Sequence, residues 1–122
     1  MPVSEAESMV MDVLWQRHPR SADEIVAELA ESTGWAAPTI KTLLNRLLNK
    51  GAISAMRDGR RYLYSPVLER ETWVQQQSES LLERLFGGRV APLVAHFGER
   101  GKLSAADIAE LKRLIAELDD GH

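Results

Sequence analysis

The chain has 122 residues, 44% apolar and 27% charged, enough for one domain with a real core or for a small domain carrying an appendage. The absence of cysteine excludes a disulfide framework, a thiolate metal site and a cysteine nucleophile, and fits a reducing cytoplasm. A formal net charge of −3 argues against nucleic acid only until it is mapped: residues 1–40 hold two basic and seven acidic side chains, 41–64 six basic against one acidic, and 65–122 seven basic against ten acidic.

Ser4 and Glu7 have the S-x-x-E spacing of a capping box and open a first helix whose inward stripe is Ala6, Met9, Val10, Val13 and Leu14. It is expected to run to about Arg17, because Pro19 disfavours helical backbone at His18. Ser21 and Glu24 repeat the box and start a second helix, with Ile25, Val26 and Leu29 inward, ending near residues 32–34. Trp35, Ala36 and Ala37 are read as a short extended piece, with a strand there pairing to the segment after the third helix.

The third helix is predicted over Ala37–Lys50, with Pro38 in its first turn and Gly51 as its left-handed stop. Ile40, Leu43, Leu44, Leu47 and Leu48 form the stripe to be buried. The opposite face carries Lys41, Thr42, Asn45, Arg46 and Asn49 and no carboxylate. Side chains of these kinds hydrogen-bond to phosphate oxygens and to base edges in a DNA major groove.

After Gly51, AISAMR reads as a strand, Asp58-Gly59 as a type I′ hairpin dipeptide and RRYLYSP as the return strand, stopped by Pro66. Three helices followed by a two-stranded ribbon is the order of a winged helix-turn-helix. In that arrangement the third helix enters the major groove and Arg57, Arg60 and Arg61 at the ribbon tip meet the sugar-phosphate backbone. Domain boundaries at 1–66 and 67–122 follow from the change of pattern at Pro66.

The remainder is helical, so the fold class is mainly α: a winged helix-turn-helix domain followed by an all-helical dimerisation domain. Trp73, Val74, Leu81, Leu82, Leu85 and Phe86 keep one stripe up to Gly87-Gly88; a short helix spans Val90–Phe97, with Gly98 after it. The last helix begins at Ser104, with Asp107 at the capping-box position, Leu103 set to staple onto Ile108, and a stripe of Ile108, Leu111, Leu114, Ile115 and Leu118. About fifty residues cannot easily bury two long stripes, so Trp73, Leu81, Leu82, Leu85 and the stripe of the last helix are assigned to a homodimer interface.

No cofactor, metal site or enzymatic activity is expected. His18, His96 and His122 have no spacing that suggests metal ligation or acid–base work, and no phosphate-binding loop or nucleophile elbow is present. The N-terminus lacks the pattern of a signal peptide and no apolar run suits a bilayer, so a cytoplasmic protein without membrane insertion is expected. A protein–protein adaptor that does not bind DNA is the alternative function; it would carry a neutral or acidic third-helix face.

TIKTLLNRLLNKG (Thr39–Gly51), RDGRRYLYSP (Arg57–Pro66), LFGG (Leu85–Gly88) and the acidic, leucine-bearing last helix together resemble the BlaI/MecI/CopY family of penicillinase and methicillin-resistance repressors. The resemblance runs nearly the whole chain in order. It implies a dimeric repressor on an inverted-repeat double-stranded DNA operator, controlling β-lactamase or other antibiotic-resistance genes. It places Thr39, Lys41, Thr42, Asn45 and Arg46 on the recognition helix and Arg60 and Arg61 on the wing. Pro38 stands where staphylococcal members carry a basic residue, which removes one phosphate contact. The copper-responsive branch acts through a cysteine cluster that this chain lacks. In the β-lactamase branch, release follows cleavage by a membrane zinc-protease sensor just before a phenylalanine. Here that bond is His96-Phe97, with His96 at a position where the best-known members have asparagine.

Overall fold

A computed structural model describes residues 2–121, leaving His122 outside the described residues. The elements in order are α1 (Glu5–Gln16), β1 (Arg20–Ser21), α2 (Ala22–Thr33), α3 (Ala37–Lys50), β2 (Ile53–Asp58), β3 (Arg61–Pro66), α4 (Arg70–Phe86), α5 (Val90–Glu99) and α6 (Ala105–Asp120). The chain divides into two compact units between Val74 and Gln75, later than the change of pattern at Pro66. The first turn of α4 stays with the first unit because the Trp15 indole N–H donates to the Leu68 carbonyl at 2.9 Å and the Trp73 ring lies 5.5 Å from that of Trp15.

The first unit owns a core built from three helix stripes. Val10, Met11 and Leu14 of α1, Ile25 and Leu29 of α2, and Ile40, Leu44 and Leu47 of α3 are buried together with Ala52 and Ile53. Each of the buried Val, Leu, Ile and Met side chains contributes roughly 1.5–3 kcal/mol relative to an exposed position. Met11, outside the predicted stripe, is fully buried, since α1 is covered by both α2 and α3 over a wider arc than one stripe.

Both capping boxes of this unit are formed: Ser4 and Ser21 accept from the amides of Glu7 and Glu24, whose carboxylates accept in return. At the end of α3, Gly51 has φ +77, its N–H donates to Leu48 O and that of Ala52 to Leu47 O, the paired bonds of a Schellman stop. Only a residue without a Cβ takes that backbone cheaply.

The strands form one antiparallel sheet in the order β1-β3-β2. The short strand lies at Arg20–Ser21 and pairs with Tyr64 and Leu63, not at residues 35–37, where Ala36 instead caps α3. The hairpin turn is also displaced by one residue. Asp58 pairs with Arg61, leaving Gly59-Arg60 as the loop. Gly59 has φ +65 and Arg60 does not have positive φ, so the turn has the type II′ signature with glycine first, whereas type I′ needs positive φ at both loop residues.

The second unit has its own character. Ser104 and Asp107 complete a capping box at the start of α6. The α5 helix continues through Gly98 to Glu99, past the predicted stop, because the left-handed turn is supplied by Gly101 at φ +69. None of the residues of α4, α5 or α6 is buried, and Leu82, Phe86, Leu93, Leu103 and Leu111 are only partly covered.

Candidate nucleic-acid interface

Burial of Ile40, Leu43, Leu44 and Leu47 fixes the rotation of α3, and helical geometry then leaves Thr39, Lys41, Thr42, Asn45, Arg46 and Asn49 exposed on the opposite side. Lys41, Asn45 and Arg46 form no hydrogen bond or ion pair with the described residues, so their donors stay available. Thr42 differs: its hydroxyl donates to the Pro38 carbonyl at 2.9 Å. The face therefore presents two cations, two amides and two hydroxyls, one of them already committed, on a rigid helix.

Lys50, counted in the basic stretch of the sequence, faces the other way. Its ammonium pairs with the Glu7 carboxylate of α1, and Glu7 is only 2% exposed. Burial works to raise the Glu7 carboxyl; the hydrogen bonds from Lys50 and from Ser4 overcome that and hold it below the usual carboxylate range. Nothing in the local sequence signals this pair, whose members lie 43 positions apart.

On the wing the register sets which arginines share a face. Arg57 pairs with Tyr62 and Asp58 with Arg61, so strand alternation puts Arg57 and Arg61 on opposite faces of the ribbon, with Arg60 in the turn between them. Arg57 donates to the Gly59 carbonyl at 3.1 Å and Arg61 meets Asp58 at 3.4 Å, both in exposed positions where solvent or a phosphate can take the partner's place. Exposed Tyr62 beside Arg57 adds an aromatic hydroxyl that sequence reading did not single out.

Two further arginines of the first unit, Arg17 and Arg20, have acidic partners. Arg17 pairs with Glu24 at 3.3 Å, and buried Arg20 pairs with Glu28 and donates to the Arg17 carbonyl. The amide and hydroxyl of Ser21 hold the Glu24 carboxyl below its usual range.

Of the residues assigned to dimerisation, Leu81, Leu85, Ile108, Leu114, Ile115 and Leu118 are exposed and Leu82 and Leu111 half-covered, all within the second unit. Trp73 is separate from them, packed on Trp15 in the first unit. His96 lies on α5 with its ring 6.1 Å from Phe86 and 5.3 Å from Phe97, so the His96-Phe97 bond sits in the last helical turn, not in a loop. No cluster of three His, Asp or Glu side chains fit to hold a metal occurs among the described residues, and no helix among them is long and apolar enough to cross a membrane.

Residues 3–117 match the family model described as the penicillinase repressor. The chain is similar to the penicillinase repressor of Bacillus licheniformis, with 33% identity over 94% of this chain and 90% of that protein. It is also similar to the methicillin resistance regulatory protein MecI of Staphylococcus aureus, with 30% identity over 93% of this chain and 92% of that protein. Among solved structures, that of the monomeric form of Bacillus licheniformis BlaI in complex with the blaP half-operator matches with a TM-score of 0.53 and 33% identity, over 59% of this chain and 88% of that one.

Proposed function

We propose a function from one premise: the chain belongs to the penicillinase repressor family. It is a transcriptional repressor that binds an inverted-repeat DNA operator as a homodimer, acts in the cytoplasm and catalyses no reaction. The observation that carries this reading is the exposed, carboxylate-free face of α3, with Lys41, Asn45 and Arg46 unpaired among the described residues. An adaptor that avoids DNA would have no use for such a face. The BlaI structure solved with a half-operator supports the same use of the fold. The regulated genes are of the antibiotic-resistance class, by likeness to the penicillinase and methicillin-resistance regulators.

The dimer is supported by the second unit, whose helices leave Leu81, Leu85, Val90, Ile108, Leu114, Ile115 and Leu118 exposed, side chains that a second copy would cover. Two α3 helices related by a two-fold axis then match two half-sites.

Arg46→Ala and Lys41→Ala should each weaken operator binding by about 1–3 kcal/mol where the contact is to a base, while random DNA loses less. Both side chains point away from the core, so the thermal melt should not move. Arg60→Ala and Arg61→Ala should behave differently, weakening operator and random DNA alike and making the salt dependence shallower by about one unit for each phosphate no longer neutralised. Anisotropy titrations across a salt series on both DNAs distinguish the two classes, and equal losses at Arg46 on both would remove it from base reading.

Release by cleavage of His96-Phe97, through a membrane zinc-protease sensor, belongs to the same proposal. Phe97 is 41% exposed in the last turn of α5 and is followed by Gly98, which weakens helix there, so fraying one turn exposes the bond. N-terminal sequencing of repressor fragments from induced cells should find a new chain start at Phe97. An intact repressor leaving its operator on induction would exclude the route.

A further inference from the structure

We infer that Thr42 reads a thymine through its methyl group and not through its hydroxyl, a step that rests on the proposed entry of α3 into the major groove. A threonine hydroxyl carries one proton. In Thr42 that proton is used inside the helix, on the Pro38 carbonyl one turn back at 2.9 Å. Branching at Cβ holds the side chain stiffly, so drawing Oγ1 against the backbone leaves Cγ2 as the untied branch.

Position makes the consequence specific. Thr42 lies three and four residues before Asn45 and Arg46 and three after Thr39, in the middle of the exposed face. Its neighbours bring free donors; Thr42 brings an apolar methyl and an oxygen that can only accept. Guanine shows the major groove two acceptors, N7 and O6, which an oxygen without a free proton meets unfavourably. Thymine alone shows a 5-methyl group, the one apolar feature of the four base edges. A methyl–methyl contact at this position therefore favours thymine and disfavours guanine without any hydrogen bond between Thr42 and the base.

The test uses the full chain and the inverted-repeat duplex that it enriches from a random-sequence pool. Each thymine of that duplex is replaced in turn by deoxyuridine, which removes the 5-methyl group and nothing else. For the wild type, one thymine in each half-site should cost about fourfold in affinity when replaced, the value of burying one methyl-sized group. The ratio between thymine and uracil duplexes should persist in Thr42→Val, which keeps a methyl at the same branch, and fall to about one in Thr42→Ser, which keeps only the hydroxyl. A ratio that survives in Thr42→Ser, one that vanishes in Thr42→Val, or a flat uracil scan in the wild type overturns the inference while operator binding stands. Failure of the wild type to enrich any sequence removes the DNA-reading function itself, and this inference with it.

Discussion

Replacing Ile115 and Leu118 by lysine should turn the 122-residue chain into a monomer and lower its affinity for an inverted-repeat duplex by about 10²- to 10⁴-fold, the gain that linking two binding heads ordinarily provides. These two side chains are chosen because they are 59% and 65% exposed, so the subunit's own packing scarcely uses them. Leu85, Val90 and Ile108 are exposed in the same unit, which places no fully buried side chain on α4, α5 or α6. Units of this size without a staple rarely stand alone, and a second copy is the economical cover. The first unit has a closed core of its own, so its thermal transition and its binding to a single half-site should persist in the variant. Sedimentation at micromolar concentration checks the association state and anisotropy the affinity. A wild type that sediments as a monomer, or a variant that remains dimeric, would sink the assignment.

The parts of the fold legible in the sequence are those written in short-range chemistry. Pro38 and Gly51 bound α3 at the residues predicted, and the boxes at Ser4, Ser21 and Ser104 all close, because each is decided within four residues of itself. A two-residue strand such as Arg20–Ser21 has no alternation to display, and its existence depends on a partner strand more than forty positions away. The one-residue shift of the hairpin turn has the same origin. Pairing of Asp58 with Arg61 is a register choice, and a single step of register exchanges the faces of a ribbon, so Arg57 and Arg61 could not be placed from composition alone. On α3 the exposed face is readable because a clean apolar stripe fixes its rotation. The internal hydrogen bond of Thr42 and the diversion of Lys50 to Glu7 are not, since both depend on where side chains lie in three dimensions.

Lys50→Ala should destabilise the first unit by ~2–3 kcal/mol at neutral pH, somewhat less than the usual cost of breaking a fully buried ion pair because Lys50 is itself 32% exposed. The loss comes from the carboxylate left behind. Glu7 is buried, one of its oxygens accepts from the Ser4 amide at 3.0 Å and the other has no hydrogen-bond partner, so removing Lys50 strands a carboxylate in the core between α1 and the end of α3. For a domain of this size that corresponds to a fall in Tm of roughly 10 °C or more. The pH dependence has a definite sign. Because the folded state holds Glu7 below its unfolded value, its ionisation contributes stability above about pH 4.3, and that contribution is lost as pH falls through the lowered value. Without Lys50, burial acts on Glu7 with less opposition and its carboxyl should rise, so the gap between wild type and Lys50→Ala should be widest near pH 7 and narrow below about pH 4. Glu7→Gln should cost less, about 1 kcal/mol, since a neutral amide still accepts from Ser4 and the freed ammonium can turn into water. Combined with Lys50→Ala it should recover part of the single-variant loss, the mark of direct coupling. Thermal melts of the four proteins between pH 3.5 and 7.5 provide the check; a Lys50→Ala loss that does not shrink with acid would mean that the lysine acts through its methylene packing and not through its charge.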